Sequence, residues 1–230
     1  MSATTMRTPS TEAVALDGAE VVQAAFEHAG SRGETFLPAG LVPTNPTLVT
    51  LLAIRVTDGP QGPFTLAQVR VSCRSGARAR ALVVATAVDA APEVRAWLAD
   101  GWGIGGSAGP VDLRRHYDRV RVVAPWFVVE LTAPRPIGAD DVQYVTGLHP
   151  VAVADGDRLA QVELEVAPHR VERGRPQLHS FTAPDGAPGL RPTTPVAATS
   201  AVATFTLPAI RFVLAPDRPA HLGTERVRPA

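Results

Sequence analysis

The chain has 230 residues, and its 22 basic residues are all arginine, balanced by 22 acidic ones for a formal net charge of zero. This length can bury a sizeable core, and the balance excludes the basic footprint of a nucleic-acid binder. The single cysteine, Cys73, excludes an intramolecular disulfide and a cysteine zinc cage and predicts a reducing, cytoplasmic setting; no apolar run reaches the ~18 residues of a membrane-spanning helix.

Met1–Ser10 is rich in Ser and Thr and carries Arg7 with no apolar stretch behind it. That composition predicts a frayed tail over residues 1–14, not a secretory signal. Ala19–Glu27 reads as a strand, Ser31–Gly40 as a turn or short helix, and Leu48–Val56 as a second strand closed by Asp58-Gly59-Pro60. Phe64–Cys73 and Ala79–Val88 read as a hairpin around Ser75-Gly76. Pro92–Asp100 spaces Val94, Trp97 and Leu98 as a helix, with Pro92 at its start and Gly101 just past its end. A glycine-rich loop follows, from Gly101 to Pro110. Arg119–Ala124 and Trp126–Thr132 read as paired strands, and Val142–Val145, Ala160–Val166 and Ala201–Leu214 as three more. Pro168–Pro195 is so rich in Pro, Gly and Arg that it predicts a long ordered excursion. Many short strands with one good helix predict a mainly β fold, a closed or nearly closed barrel. Residues 15–216 are expected to form one domain, followed by a tail over 217–230.

Alternation sorts Phe64–Cys73 into two faces. Thr65, Ala67, Val69, Val71 and Cys73 make a small, mostly apolar face; Leu66, Gln68, Arg70 and Ser72 make the other. The polar face meets either solvent or a pocket. In a pocket Arg70 is a carboxylate clamp, and Gln68 is a fixed donor that polarises an enol or ketone oxygen. Otherwise Arg70 pairs with an acidic neighbour. Gln23 and Glu27 share one face of the first strand; a glutamate in a partly apolar barrel can act as acid or base, or it is an exposed strand end. Trp102 is a pocket wall or a core tryptophan. Arg114-Arg115-His116-Tyr117-Asp118 reads as a loop ion-pair network, and Cys73 as a small buried hydrophobe. His149, His169, His179 and His221 lack metal-ligand spacing, so no metal is expected. The glycine loop follows a helix, the wrong context for a dinucleotide fingerprint, and no cofactor is expected.

From Leu37 onward the segments resemble the acetoacetate decarboxylase superfamily. The matching residues are Leu37-Pro38-Ala39-Gly40-Leu41, Gly62-Pro63-Phe64-Thr65, Val88-Asp89-Ala90, Gly101-Trp102-Gly103-Ile104 and Leu207-Pro208-Ala209-Ile210-Arg211-Phe212. The resemblance covers roughly residues 19–214. It implies a cone-shaped closed β-barrel with one or two short helices, an interior active site and a homo-oligomer.

The family's namesake reaction forms a Schiff base on a lysine whose pKa a second lysine lowers. This chain departs from that pattern. The paired lysines fall at Gly106 and Ser107, the strand glutamate at Leu66 and the first-strand arginine near Ala19. Side-chain imine chemistry is therefore excluded. With two long side chains gone, the pocket near Gly105 and Gly106 is expected to be larger. What remains is a lysine-independent enzyme for cyclisation, dehydration or non-covalent decarboxylation of a carbonyl-bearing small molecule. Arg70, Gln68 and Glu27 would carry the chemistry, and Trp102, Gln23, Leu66, Gly106 and Ser107 would line the substrate. The alternative is a non-catalytic small-molecule binder on the same barrel. Neither reading involves a nucleic acid or a membrane.

Overall fold

The computed structural model describes residues 3–30, 36–142 and 144–227. Its strands in chain order are β1 (Thr4–Thr5), β2 (Val14–His28), β3 (Val42–Pro43), β4 (Leu48–Val56), β5 (Phe64–Ser75) and β6 (Arg78–Ala90). After helix α1 (Pro92–Trp102) come β7 (Ser107–Ala108), β8 (Asp112–His116), β9 (Arg119–Ala124), β10 (Phe127–Pro136), β11 (Gly147–Val153) and β12 (Gly156–Val162). The last elements are β13 (Glu165–Phe181), β14 (Pro192–Leu207), β15 (Phe212–Leu214), the short helix α2 (Ala220–Gly223) and β16 (Thr224–Arg226).

The sheet's hydrogen-bonded order is β16-β15-β12-β11-β6-β5-β4-β2-β14-β13-β10-β9-β8, with β1 added to β11, β3 to β5 and β7 to β6. The fold is mainly β, but the expected closed barrel is not closed by hydrogen bonds: no described pairing joins β8 to β16. One side chain links strands that are not neighbours, β4 and β8, and also its own neighbour β2. Arg55 of β4 donates from Nη1 to the Leu113 carbonyl of β8 at 2.7 Å and from Nη2 to Glu20 at 2.5 Å.

Alternation divides the core. Ala67, Val69, Val71 and Cys73 of β5 pack with Leu51 and Ala53 of β4, Leu113 of β8 and Val120 and Val122 of β9. The opposite face puts Leu66 with Ala19, Leu52, Ile54, Phe205 and the α1 residues Val94, Leu98 and Trp102. Burial pushes the Cys73 thiol up to about 11, so it stays a packed, unreactive side chain.

Helix α1 begins at the expected proline and runs two residues further than predicted. Gly101 is buried inside it, and the left-handed cap is Gly103 at φ 65. Gly103 N–H donates to the Ala99 carbonyl and Ile104 N–H to the Leu98 carbonyl, a closing pair that satisfies the last helical carbonyls. A Cβ at Gly103 would also overlap Val151 Cγ1, so only glycine fits.

Three expectations fail. Pro168–Pro195 is no excursion: β13 spans 17 residues and pairs on both sides, with β10 and β14. Pro168 stands where the ladder with β14 slips, between Pro168 and Arg170. Val142 and residues 144–145 are not a strand. The expected tail makes specific contacts: β1 pairs with β11, Met6 is buried, and Arg7 forks onto Asp100 at 2.9 and 2.6 Å. Of the expected turn at Ser31–Gly40, residues 31–35 lie outside the described ones.

Candidate functional site

Leu66, Gln68 and Arg70 follow one another on one face of β5, and that face is covered. Gln68 is 1 % exposed and Arg70 3 %. Arg70 donates from Nε and Nη2 to Gln68 Oε1 at 2.8 and 2.5 Å, and from Nη1 to the Val145 carbonyl at 3.4 Å. No carboxylate pairs with it among the described residues. Burial alone lowers its guanidinium to about 10, so it stays charged at neutral pH. A buried cation held only by neutral acceptors is electrostatically incomplete.

Gln68 turns its amide Nε2 toward Thr86 Oγ1 on β6, at 3.5 Å. Thr86 lines a cavity of about 470 Å³ whose wall also includes Gly105, Gly106, Ser107, Trp126, His149 and Asp185. That size suits a small molecule. His149 of β11 is 2 % exposed, and its Nε2 has no hydrogen-bond partner among the described residues. Burial first, and the nearby Arg70 charge second, lower its pKa to about 3, so the imidazole is neutral. Among the described residues, no cluster of three or more His, Cys, Asp or Glu side chains can hold a metal ion.

The expected site residues divide. Gln68, Arg70, Gly106 and Ser107 gather around this cavity, the first two through Thr86 and His149. Leu66 and Trp102 belong to the apolar cluster on α1, where Trp102 Nε1 donates to the Pro208 carbonyl at 2.6 Å. Glu27 and Gln23 are half-buried on β2 and do not line the cavity. Positions Ala19 and Leu66, where the resemblance puts the missing arginine and glutamate, are packed together in that dry cluster. The polar groups stand one and two pleats further along β5.

Gly105 and Gly106 do not leave a pit. A Cβ at Gly105 would overlap the Thr4 side chain, and one at Gly106 would overlap the Thr86 carbonyl oxygen. The glycines let β1 and β6 approach. This corrects the expectation of added space at those positions. The dense segment Arg114–Asp118 forms the β8–β9 hairpin, where Arg115 pairs with Glu172 at 2.5 Å. Sequence reasoning missed Thr86, Gly147 and His149. The one available signal was a histidine inside the apolar run Leu148-His149-Pro150-Val151.

No protein-family model and no curated protein matches the chain. Solved structures do. An acetoacetate decarboxylase from Legionella pneumophila superposes with a TM-score of 0.74 at 18 % identity, covering 90 % of this chain and 88 % of that one. The enduracididine biosynthesis enzyme MppR with bound HEPES gives 0.68 at 18 % identity, covering 91 % and 89 %, and MppR is also solved with a condensation product of pyruvate and imidazole 4-carboxaldehyde. An acetoacetate decarboxylase-like enzyme from Sphingomonas wittichii RW1 gives 0.63 at 16 % identity, covering 96 % and 94 %. Similarity over almost the whole chain at such low identity is similarity of architecture: the chain has the acetoacetate decarboxylase-like fold.

Proposed function

We propose that the chain is a lysine-independent enzyme acting on a small molecule that carries a carbonyl and a carboxylate. Cyclisation, dehydration and non-covalent decarboxylation are the reactions it would support, in specialised metabolism and as a homo-oligomer. The observation that carries this reading is the buried Arg70 cation, which has no carboxylate partner among the described residues and stands behind a cavity of about 470 Å³. Arg70 anchors the substrate anion. Gln68 is a positioning residue that holds the guanidinium through Oε1. Thr86 and the backbone at Gly105–Ser107 present polar groups to the substrate carbonyl, a fixed set of the kind that stabilises developing oxyanions. The fold is shared with MppR, which is solved in complex with pyruvate and with the condensation product of pyruvate and imidazole 4-carboxaldehyde; this favours a 2-oxo or β-keto acid over a neutral ligand.

The test is a thermal-shift and turnover screen of the wild type and Arg70→Met against such acids. Ligand stabilisation should vanish in the variant, and turnover should fall roughly 100-fold or more. The variant's own Tm should hold, because an uncompensated buried cation is removed. Turnover near the wild-type rate in Arg70→Met would defeat the assignment, and a ligand bound but returned unchanged would favour a carrier.

A further inference from the structure

Gly147 and His149 are two residues apart on β11 and so face the same side of the sheet. Arg70 reaches that side from β5, across β6. A Cβ added at Gly147 would stand 3.0 Å from His149 Nε2 and 3.6 Å from Arg70 Nη2. Two nitrogens thus converge on a notch that a glycine keeps open. His149 Nε2 is buried and has no hydrogen-bond partner among the described residues. Arg70 Nη2 gives one hydrogen to Gln68 Oε1, which leaves its second free.

We propose that this notch seats the substrate's carboxylate, and that the carboxylate is bound together with a proton taken up by His149. One oxygen accepts from Arg70 Nη2 and the other from the protonated His149 Nε2, a pair of charge-assisted bonds. The carbon skeleton then lies in the cavity beside Thr86, Gly106 and Trp126. This rests on Arg70 being the anion anchor and adds where the anion sits, what completes its seat and what accompanies it. Arg70 is the charged group that acts on the His149 proton. Asp185 lies on the cavity wall, and Arg80 of β6 is turned to Gln161 of β12. A carboxylate in the notch cancels the Arg70 charge and supplies the imidazolium with a counter-ion, reversing the second of the two causes that keep His149 neutral.

The experiment is titration calorimetry with pyruvate and acetoacetate at about pH 6, where free imidazole titrates, in buffers of different ionisation enthalpy. The expected result is a heat that varies with the buffer and reports proton uptake. His149→Gln should still bind, more weakly, with no uptake. Gly147→Ala should bind roughly tenfold more weakly or worse, with its Tm measured alongside, because the new methyl would stand 3.0 Å from the buried His149 Nε2 and crowd the seat. A buffer-independent heat, or full affinity in Gly147→Ala, overturns the seat. Binding that is lost in Arg70→Met yet intact in both other variants overturns the seat and leaves the Arg70 anchor standing. Heat from neither acid overturns both.

Discussion

Gly106→Ala is expected to destabilise the protein by ~3 kcal/mol or more. The added Cβ would overlap the Thr86 carbonyl oxygen and lie 2.6 Å from its carbon. These are backbone atoms of β6, which is paired with β5 along nearly its whole length and cannot swing aside. The loop cannot retreat either, because the next residues, Ser107 and Ala108, pair with Ala87 and Val88 of the same strand. Relief therefore requires breaking the β6–β7 ladder, and with it one wall of the cavity. Gly109→Ala is the control, since its Cβ would meet Pro125 Cγ at 3.3 Å and nothing else within 4 Å. Urea unfolding of the two variants should separate them clearly. A Gly106→Ala midpoint equal to the wild type would mean that the loop stands off from β6.

Acid should destabilise the protein well before its carboxylates titrate, and His149 is the reason. Its pKa is lowered from 6.5 to about 3 by burial and by Arg70. The unfolded chain therefore takes up a proton as pH falls through 6.5, while the folded chain refuses it until about 3. The stabilisation is fully present above pH 6.5 and is lost as the pH falls. The slope is ~1.4 kcal/mol per pH unit, on the order of 5 kcal/mol over the whole window. His149→Gln should abolish that slope. Glu172 contributes lower down. Burial pulls it upward, but hydrogen bonds from Arg170 and Arg115 outweigh burial and hold it below the ordinary carboxylate value, so its share is lost only at more acid pH. Unfolding free energy measured between pH 6.5 and 5 isolates the histidine. A slope unchanged in His149→Gln would place the titrating group elsewhere.

How much of this was legible depended on what each signal reports. The bounds of β4 and β9 follow from apolar runs and turn residues alone, and the β5–β6 hairpin turns where Ser75-Gly76 predicts, with Gly76 at φ 60. Strand β13 was hidden because Pro168, Gly174 and Pro176 are breakers by local preference, whereas β10 and β14 hold the segment from both sides. Tertiary pairing overrode propensity. The two faces of β5 were readable from alternation, but alternation does not reveal what lies over a face. Whether Gln68 and Arg70 met water or the interior was decided by what covers them, Thr86 of β6 and the segment at Val145 among it. His149 lies 79 positions beyond Arg70, and no spacing rule links a lone histidine to so distant an arginine. The glycines at 105 and 106 misled for a related reason: a missing side chain was read as space, while the fold had already filled it with Thr4 and with backbone.

The pairing of β2 with β14, and of β1 with β11, has a consequence for how the chain reaches this state. Val14–His28 lies against Pro192–Leu207, so the middle of the sheet joins segments from opposite ends of the sequence. Thr4 and Thr5 meet Val151 and Ala152. On a ribosome the first strand emerges long before its partner exists and must wait with an unpaired edge. Contacts at such separation close large loops before they return any stabilisation, which puts refolding in the slow range, milliseconds to seconds or beyond. The cavity walled by Thr4, His149 and Asp185 is then among the last features to form, and any ligand bound there would report completion of folding rather than its onset.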